Sequence, residues 1–247
     1  MQDGSAGDAD YGRIGRVYAG FRTPDARIAG VIERALGDAR TVLNVGAGTG
    51  SYEPRDREVT AVEPSASMRA KRTARKPAVD ATAESLPFED NSFDAAMGTF
   101  TVHQWQDLEQ GLREVRRVTR GPVVFLTCDP RLVRRFWLDE YCPEVLSTEA
   151  RRYPELARIG GRVVRVPVPL DCTDGFNEAY YGRPEMLLDP DARQACSAWS
   201  FVEKPARERF ERQLRADLED GTWDRNHGHL RTQPTLDGSL VLMVSES

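Results

Sequence analysis

The sequence has little of what staples a chain, anchors it in a membrane or draws it to polyanions. Its four cysteines are Cys128, Cys142, Cys172 and Cys196, and no two stand at the CxxC spacing of a zinc site or a dithiol redox centre. Histidine occurs three times, as His103, His227 and His229. The last two share the stretch DRNHGHL with no third ligand beside them, so a metal centre is not expected. No apolar run approaches the roughly 18 residues of a membrane span. The opening MQDGSAGDAD lacks the apolar segment of a signal peptide and reads as a polar tail. Basic charge is not in excess, with 34 Lys and Arg against 39 Asp and Glu, a net charge of -5. That excludes a broadly basic surface for nucleic acid or anionic lipid. The two basic runs, RAKRTARK and REVRRVTR, read as solvated helix faces. A GxSxG nucleophile elbow is absent. These absences predict a cytoplasmic protein with reduced thiols and neither nucleic-acid nor membrane partners.

What is present suffices for one sizeable core: 247 residues, 40% hydrophobic and 30% charged. Thr23 to Leu36 has Ile28, Val31, Ile32, Ala35 and Leu36 at helical spacing, with Gly37 as its stop. TVLNV (Thr41 to Val45) reads as a buried strand and Glu58 to Pro64 as a second. A polar helix follows that Ser65 is placed to cap. Ser92 to Phe100 reads as a third strand. An amphipathic helix carrying Leu108, Leu112, Val115 and Val118 follows, with Gly121 as its stop, and Pro122 to Asp129 is a fourth strand. Short apolar strands alternating with helices predict an α/β fold with a doubly wound, mostly parallel sheet.

The pattern loosens after Pro130. The expected organisation is a tail over 1–10, a helical lid over 11–40 and an α/β core over 41–130. A substrate-side insertion or cap follows over 131–236, with a sheet strand near 161–170, and a final strand over 237–247. The insertion carries Phe136, Trp137, Tyr141, Phe176, Tyr180 and Tyr181, which suit either a pocket for a mid-sized organic molecule or a core.

VLNVGAGTGSYEP places Gly46, Gly48 and Gly50 directly after the first strand. Glycine at that density marks sharp turns or a close approach to the backbone. The dinucleotide fingerprint wants GxGxxG, and here the third glycine comes one residue early. That argues against a nicotinamide oxidoreductase. Glu63, at the end of the second strand, is placed to accept hydrogen bonds from both hydroxyls of a ribose. The ligand so indicated contains a nucleoside.

VLNVGAGTG, then VTAVEPSASM, then ATAESLPFEDNSFDAAMGTFTVHQW resemble the ordered motifs of class I S-adenosylmethionine-dependent methyltransferases of the small-molecule type. The resemblance covers residues 11 to 130 well and the rest loosely. It implies a Rossmann-like fold and S-adenosylmethionine as cofactor. Gly46, Ala47 and Gly48 would lie under its methionine and ribose part, and Glu63 would hold the ribose hydroxyls. Ala83 would donate a backbone N–H to adenine beside Glu84, and Gly98 and Thr99 would line the methionine side. Tyr18 and Arg22 would close over the carboxylate, a group that suits an arginine fork, and Tyr11, also assigned to the cofactor, falls on the same helical face as Tyr18. The NPPY-like motif of amino-methylating nucleic-acid enzymes is missing. Three departures stand out: Asn44 and Thr82 where the family often has Asp, and only eight residues between Gly50 and Val59, too few for the family's usual helix.

The implied activity is in-line methyl transfer to a metabolite or natural-product intermediate. The protein's part is to align the acceptor and, for a hydroxyl or carbon acid, to remove a proton. His103, just beyond the strand ending in Phe100, is the candidate base; packing against Trp105 or capping the next helix is its structural alternative. A protein that binds the cofactor without transferring its methyl, as a sensor or scaffold, is the alternative function.

Overall fold

The computed structural model describes residues 18–72 and 76–246, with the backbone alone for Tyr18 and Ala19. The chain divides into two compact units, one built from 26–128, 153–166 and 240–247, the other from 1–25, 129–152 and 167–239.

The first unit is built on a six-stranded sheet. Its strands are β1 (Thr41–Val45), β2 (Glu58–Val62), β3 (Ala95–Thr99), β4 (Val123–Cys128), β5 (Arg162–Arg165) and β8 (Leu240–Ser245), in the order β2-β1-β3-β4-β8-β5. β2, β1, β3 and β4 run parallel, and β8 is antiparallel to both of its neighbours. Val79 adds one parallel bridge outside β2, at Val62. Leu43, Val45, Ala96, Val123, Phe125, Val241 and Met243 alternate along their strands into one apolar cluster. Helix α2 (Leu108–Val118) supplies Leu108, Val115 and Val118 to that cluster. Helix α1 (Ala26–Ala35) buries Ile28 and Ile32 and reaches β4. Strands this apolar on both faces need a cover on each, which makes the sheet doubly wound as the sequence predicts.

Local physics sets the ends of these elements. Asp107 caps α2 by accepting the Gln110 N–H at 2.9 Å. The helix stops at Val118, before the expected Gly121. Gly121 answers a different need: a Cβ there would lie 2.3 Å from the Asp94 carbonyl oxygen. Gly37, at φ +57°, does end α1 as expected. The polar helix after β2 is a single turn, Ala66–Arg69, and the Ser65 side chain does not cap it. Its hydroxyl pairs with Ser67 Oγ at 3.0 Å instead. The strand expected over 161–170 divides. β5 stays in the large sheet, and β6 (Val168–Pro169) pairs with β7 (Thr235–Leu236) in the other unit. Pro167 and Pro169 have no N–H to continue the first ladder.

The second unit is helical, with α3 (Pro143–Arg152) and α4 (Lys204–Glu219) as its longest elements. Leu146, Tyr181, Leu187, Phe210 and Trp223 are fully buried in it. The aromatics that suited a pocket are core members. Trp137 Nε1 donates to the Tyr181 carbonyl at 2.9 Å, and the Tyr141 hydroxyl to Asp217 Oδ2 at 2.9 Å. The four cysteines are buried, and burial pushes Cys142, Cys172 and Cys196 up to about 12, so these three stay thiols.

Candidate functional site

The glycine loop leaves β1 through Gly46, Gly48 and Gly50 at φ +66°, +53° and +93°. What approaches the first of them is the protein itself. A Cβ on Gly46 would lie 1.8 Å from Thr101 Oγ1, and one on Gly98 would lie 2.7 Å from Thr101 Cγ2. Thr101 is buried, and its hydroxyl accepts the Trp105 indole N–H at 3.2 Å. A glycine just past β1 and another within β3 therefore make room for one threonine, which sets the loop's departure from the sheet. At Gly48 the backbone stays open: a Cβ there would meet Met68 Cε at an ordinary 3.4 Å.

Glu63 is where the sequence places it, one residue past β2. Its Oε2 accepts the Gly48 N–H at 2.8 Å and its Oε1 the Ser65 N–H at 2.8 Å. The carboxylate is thus locked against the glycine loop. Each of its oxygens has two lone pairs, so acceptor capacity remains for hydroxyl groups. Arg69 binds the Glu63 carbonyl at 2.7 Å and Asp80 through both of its oxygens, fixing the turn behind it.

Between β1 and β2 there is no helix, as the short spacing predicts. The connection is held by Glu53, whose Oε1 accepts from Asn44 Nδ2 at 3.0 Å and from Arg72 Nη2 at 2.8 Å. Asn44, Glu53 and Arg72 are all buried. Asn44 thus points at Glu53 from inside β1, and an Asp there would set carboxylate against carboxylate. Glu53 and Arg72 carry no recognisable motif, and their pairing across 19 residues is invisible to local reading.

The loop after Val79 brings up Ala83 and Glu84. The Ala83 N–H has no acceptor among the described residues. Glu84 Oε1 accepts the N–H groups of Gln106 and Asp107 at 2.8 and 3.1 Å, pinning the loop to the start of α2. Thr82 is exposed. Ala47 is buried, with its N–H on the Val62 carbonyl at 2.9 Å. Thr99 ends β3 beside Gly98. Gly46, Ala47, Gly48, Glu63, Ala83, Glu84, Gly98 and Thr99 therefore share one unit and follow or end its parallel strands, the edge where such sheets take ligands. A clamped carboxylate, an open glycine backbone and an unbonded N–H fit an adenosine-bearing cofactor.

His103 lies in the 3₁₀ turn Val102–Gln104, buried, with its ring 4.7 Å from that of Tyr153 in edge contact. Its indicated partner Trp105 packs on Phe125 instead. His227 Nε2 lies 3.1 Å from Glu140 Oε2. Arg22 belongs to the helical unit, where its Nε and Nη2 donate to the Asp174 carboxylate, the first at 2.5 Å. Tyr11 lies outside the described residues, as does the side chain of Tyr18.

The sequence pattern of a family described as "Methyltransferase domain" matches residues 43–126. A solved structure, a putative methyltransferase from an antibiotic biosynthesis pathway of Anabaena variabilis, superposes with a TM-score of 0.85 at 28% identity, covering 92% of this chain and 99% of that one. A malonyl-[acyl-carrier protein] O-methyltransferase of Halorhodospira halophila is 29% identical over 212 residues, 77% of this chain and 70% of that protein. An uncharacterized protein of Methanocaldococcus jannaschii is 35% identical over 98 residues, and that match spans only 39% of either chain.

Proposed function

We propose that this chain, which belongs to the class I S-adenosylmethionine-dependent methyltransferase family, transfers a methyl group to a small organic acceptor. The observation that carries the cofactor half is the Glu63 carboxylate, held against the Gly48 N–H at the end of the second parallel strand. The acceptor half is supported by the likeness to the antibiotic-pathway protein, which extends over nearly the whole chain, and by the malonyl group named for the Halorhodospira relative.

When bound, S-adenosylmethionine supplies an activated methyl with its own leaving group. The chain's residues do the rest. Glu63 holds the ribose hydroxyls, Ala83 donates to adenine beside Glu84, and Gly46, Ala47 and Gly48 give backbone without side-chain bulk. Gly98 and Thr99 line the methionine side. Tyr11, Tyr18 and Arg22 are assigned to the cofactor's carboxylate on the family resemblance alone. His103 takes the acceptor's proton where there is one to take. Among the described residues no helix is long and apolar enough to cross a membrane, and the acidic net charge favours a small-molecule acceptor over nucleic acid.

Calorimetry with S-adenosylhomocysteine tests the reading directly. The parent should bind in roughly the micromolar to millimolar range usual for such sites. Glu63→Ala should bind at least tenfold more weakly, since each lost hydrogen bond to a charged acceptor is worth about 1.5–3 kcal/mol. Parental affinity in that variant removes Glu63 from the site. Binding without S-adenosylhomocysteine release across a broad acceptor panel favours a sensor.

A further inference from the structure

Helix α3 of the helical unit carries an acid and a base one turn apart, Glu149 and Arg152, on one face. At that spacing the two normally meet in an ion pair. Here they form none, because each is held by another partner. Asn177 Nδ2 donates to Glu149 Oε1 at 2.8 Å, and Trp199 Nε1 donates to Asn177 Oδ1 at 2.9 Å, which fixes the amide's orientation. Arg152 Nη1 donates to Ser197 Oγ at 3.2 Å, with the guanidinium carbon 5.1 Å from the centre of the Phe201 ring.

This arrangement leaves one edge of the guanidinium unused. Arg152 is 93% buried, with 7% of its surface exposed, and its Nε and Nη2 have no hydrogen-bond partner. Those two atoms form the side-on fork, the same edge that Arg22 presents to Asp174. A buried cation with an empty fork is costly to the fold, and its geometry matches two oxygens of one carboxylate. Glu149 Oε2 has no partner among the described residues either.

We propose that Arg152 and Glu149 form a subsite for a carboxylate carried by the acceptor, with the Arg152 fork binding its two oxygens and Glu149 donating a hydrogen bond to one of them. The inference rests on the methyl-transfer reading only in calling the ligand an acceptor. The carboxylate is the handle by which the molecule is held.

The surroundings supply the proton this needs. Burial first, and then the charge of Glu178, push the Glu149 carboxyl up to about 7, against the opposing Asn177 bond and the charges of Arg152 and Arg22. The other groups that face it are accounted for. Glu178 is fixed on the Ser239 N–H, Arg22 is paired with Asp174, and Cys196 stays a thiol. Below about pH 7 Glu149 is a donor, and above it an anion that repels the ligand.

The test uses acetate, hexanoate and succinate, each against its amide, at constant ionic strength set with sodium chloride. Calorimetry and thermal unfolding of the full chain are the readouts. At least one carboxylate should bind saturably at pH 6.5, its amide should not, and affinity should fall by up to tenfold per pH unit above about 7. Arg152→Met keeps the apolar stem and should weaken binding at least tenfold. Glu149→Gln keeps a donor and should bind with the pH dependence gone. If Arg152→Met does not fold, Arg152→Lys, which retains the charge and loses the fork, decides. The proposal is overturned if no carboxylate of the set binds, if amides bind equally, or if the Arg152 variant retains parental affinity. S-adenosylhomocysteine binding is measured on the same samples. Its retention alongside a failed carboxylate test sinks this inference alone, and its absence from the parent sinks the methyl-transfer reading alone.

Discussion

Asn44→Asp installs the residue that the family resemblance implies at this place, and the structure predicts that it harms this chain. Asn44 Nδ2 stands 3.0 Å from Glu53 Oε1, and both side chains are buried. The substitution removes a hydrogen bond to a charged acceptor, about 1.5–3 kcal/mol. It also sets a second carboxylate against the first, which at about 4 Å and an effective dielectric constant near 20 costs roughly 4 kcal/mol. Arg72, 2.8 Å from Glu53, offsets part of that repulsion, which leaves an expected loss of about 3–5 kcal/mol at pH 8. That is a large fraction of the 5–15 kcal/mol typical of a folded domain.

The pH dependence has a definite sign. Two carboxylates sharing one site keep a proton, so one folded-state pKa rises above its unfolded value. The folded state then binds more protons than the unfolded one, and stability falls as pH rises. The deficit of Asn44→Asp relative to the parent should therefore shrink between pH 8 and pH 5. Urea unfolding at both values measures it. Adding Glu53→Gln returns the site to one carboxylate and one amide, and should recover about 2 kcal/mol or more in a double-mutant cycle. A loss under about 1 kcal/mol at pH 8, or an equal loss at both pH values, would refute the argument.

Three further outcomes follow from other contacts. Gly46→Ala meets both a left-handed backbone and Thr101 Oγ1 at 1.8 Å, so it should cost about 2–5 kcal/mol in chemical unfolding; a loss under 1 kcal/mol would mean that the loop relaxes freely. Asp94 ties the start of β1 to β3 through the N–H groups of Thr41 and Arg40 and through Arg120, which hold its carboxyl well below the usual range. Its contribution is whole above about pH 4 and lost as pH falls, so Asp94→Asn should cost about 1–3 kcal/mol at pH 7 and flatten the acid limb of the stability curve. His103→Ala should lower turnover by roughly 10²–10⁴-fold with S-adenosylhomocysteine affinity unchanged; full turnover with a lowered Tm would make it a packing partner of Tyr153.

Elements whose cause is local were readable in the sequence. The strands at 41–45, 58–62 and 123–128 are apolar runs, α1 and α2 have a 3.6-residue period, and the order of the motifs fixed the family resemblance. Where distant residues intervene, the reading fell short. Of the polar helix expected after β2, the described residues form one turn, Ala66–Arg69, from which Arg69 folds back onto Glu63 and Asp80. Gly121 serves the Asp94 carbonyl of a neighbouring strand rather than the helix it follows. The aromatics of the insertion suited a pocket and a core equally, since burial depends on partners such as Tyr181 with Trp137, 44 residues apart. The separation of Glu149 from Arg152 depends on Asn177 and Ser197, and nothing near α3 announces either.

The same distant contacts explain the departures at the glycine loop. With eight residues between Gly50 and Val59 there is no helix to cover the back of the loop or bond its turns. Glu53 takes over that work from inside, gathering β1 through Asn44 and the segment after β2 through Arg72, while Arg72 Nη1 also reaches the Gly48 carbonyl at 3.4 Å. The amide at position 44 donates to Glu53, whereas a second carboxylate there would face it with like charge in a buried place. The short connection and Asn44 therefore meet at the same carboxylate. The glycine loop is shaped from below by Thr101, from its far end by Glu53 and Arg72, and at Gly48 by Glu63. All three holds are made by the chain's own residues.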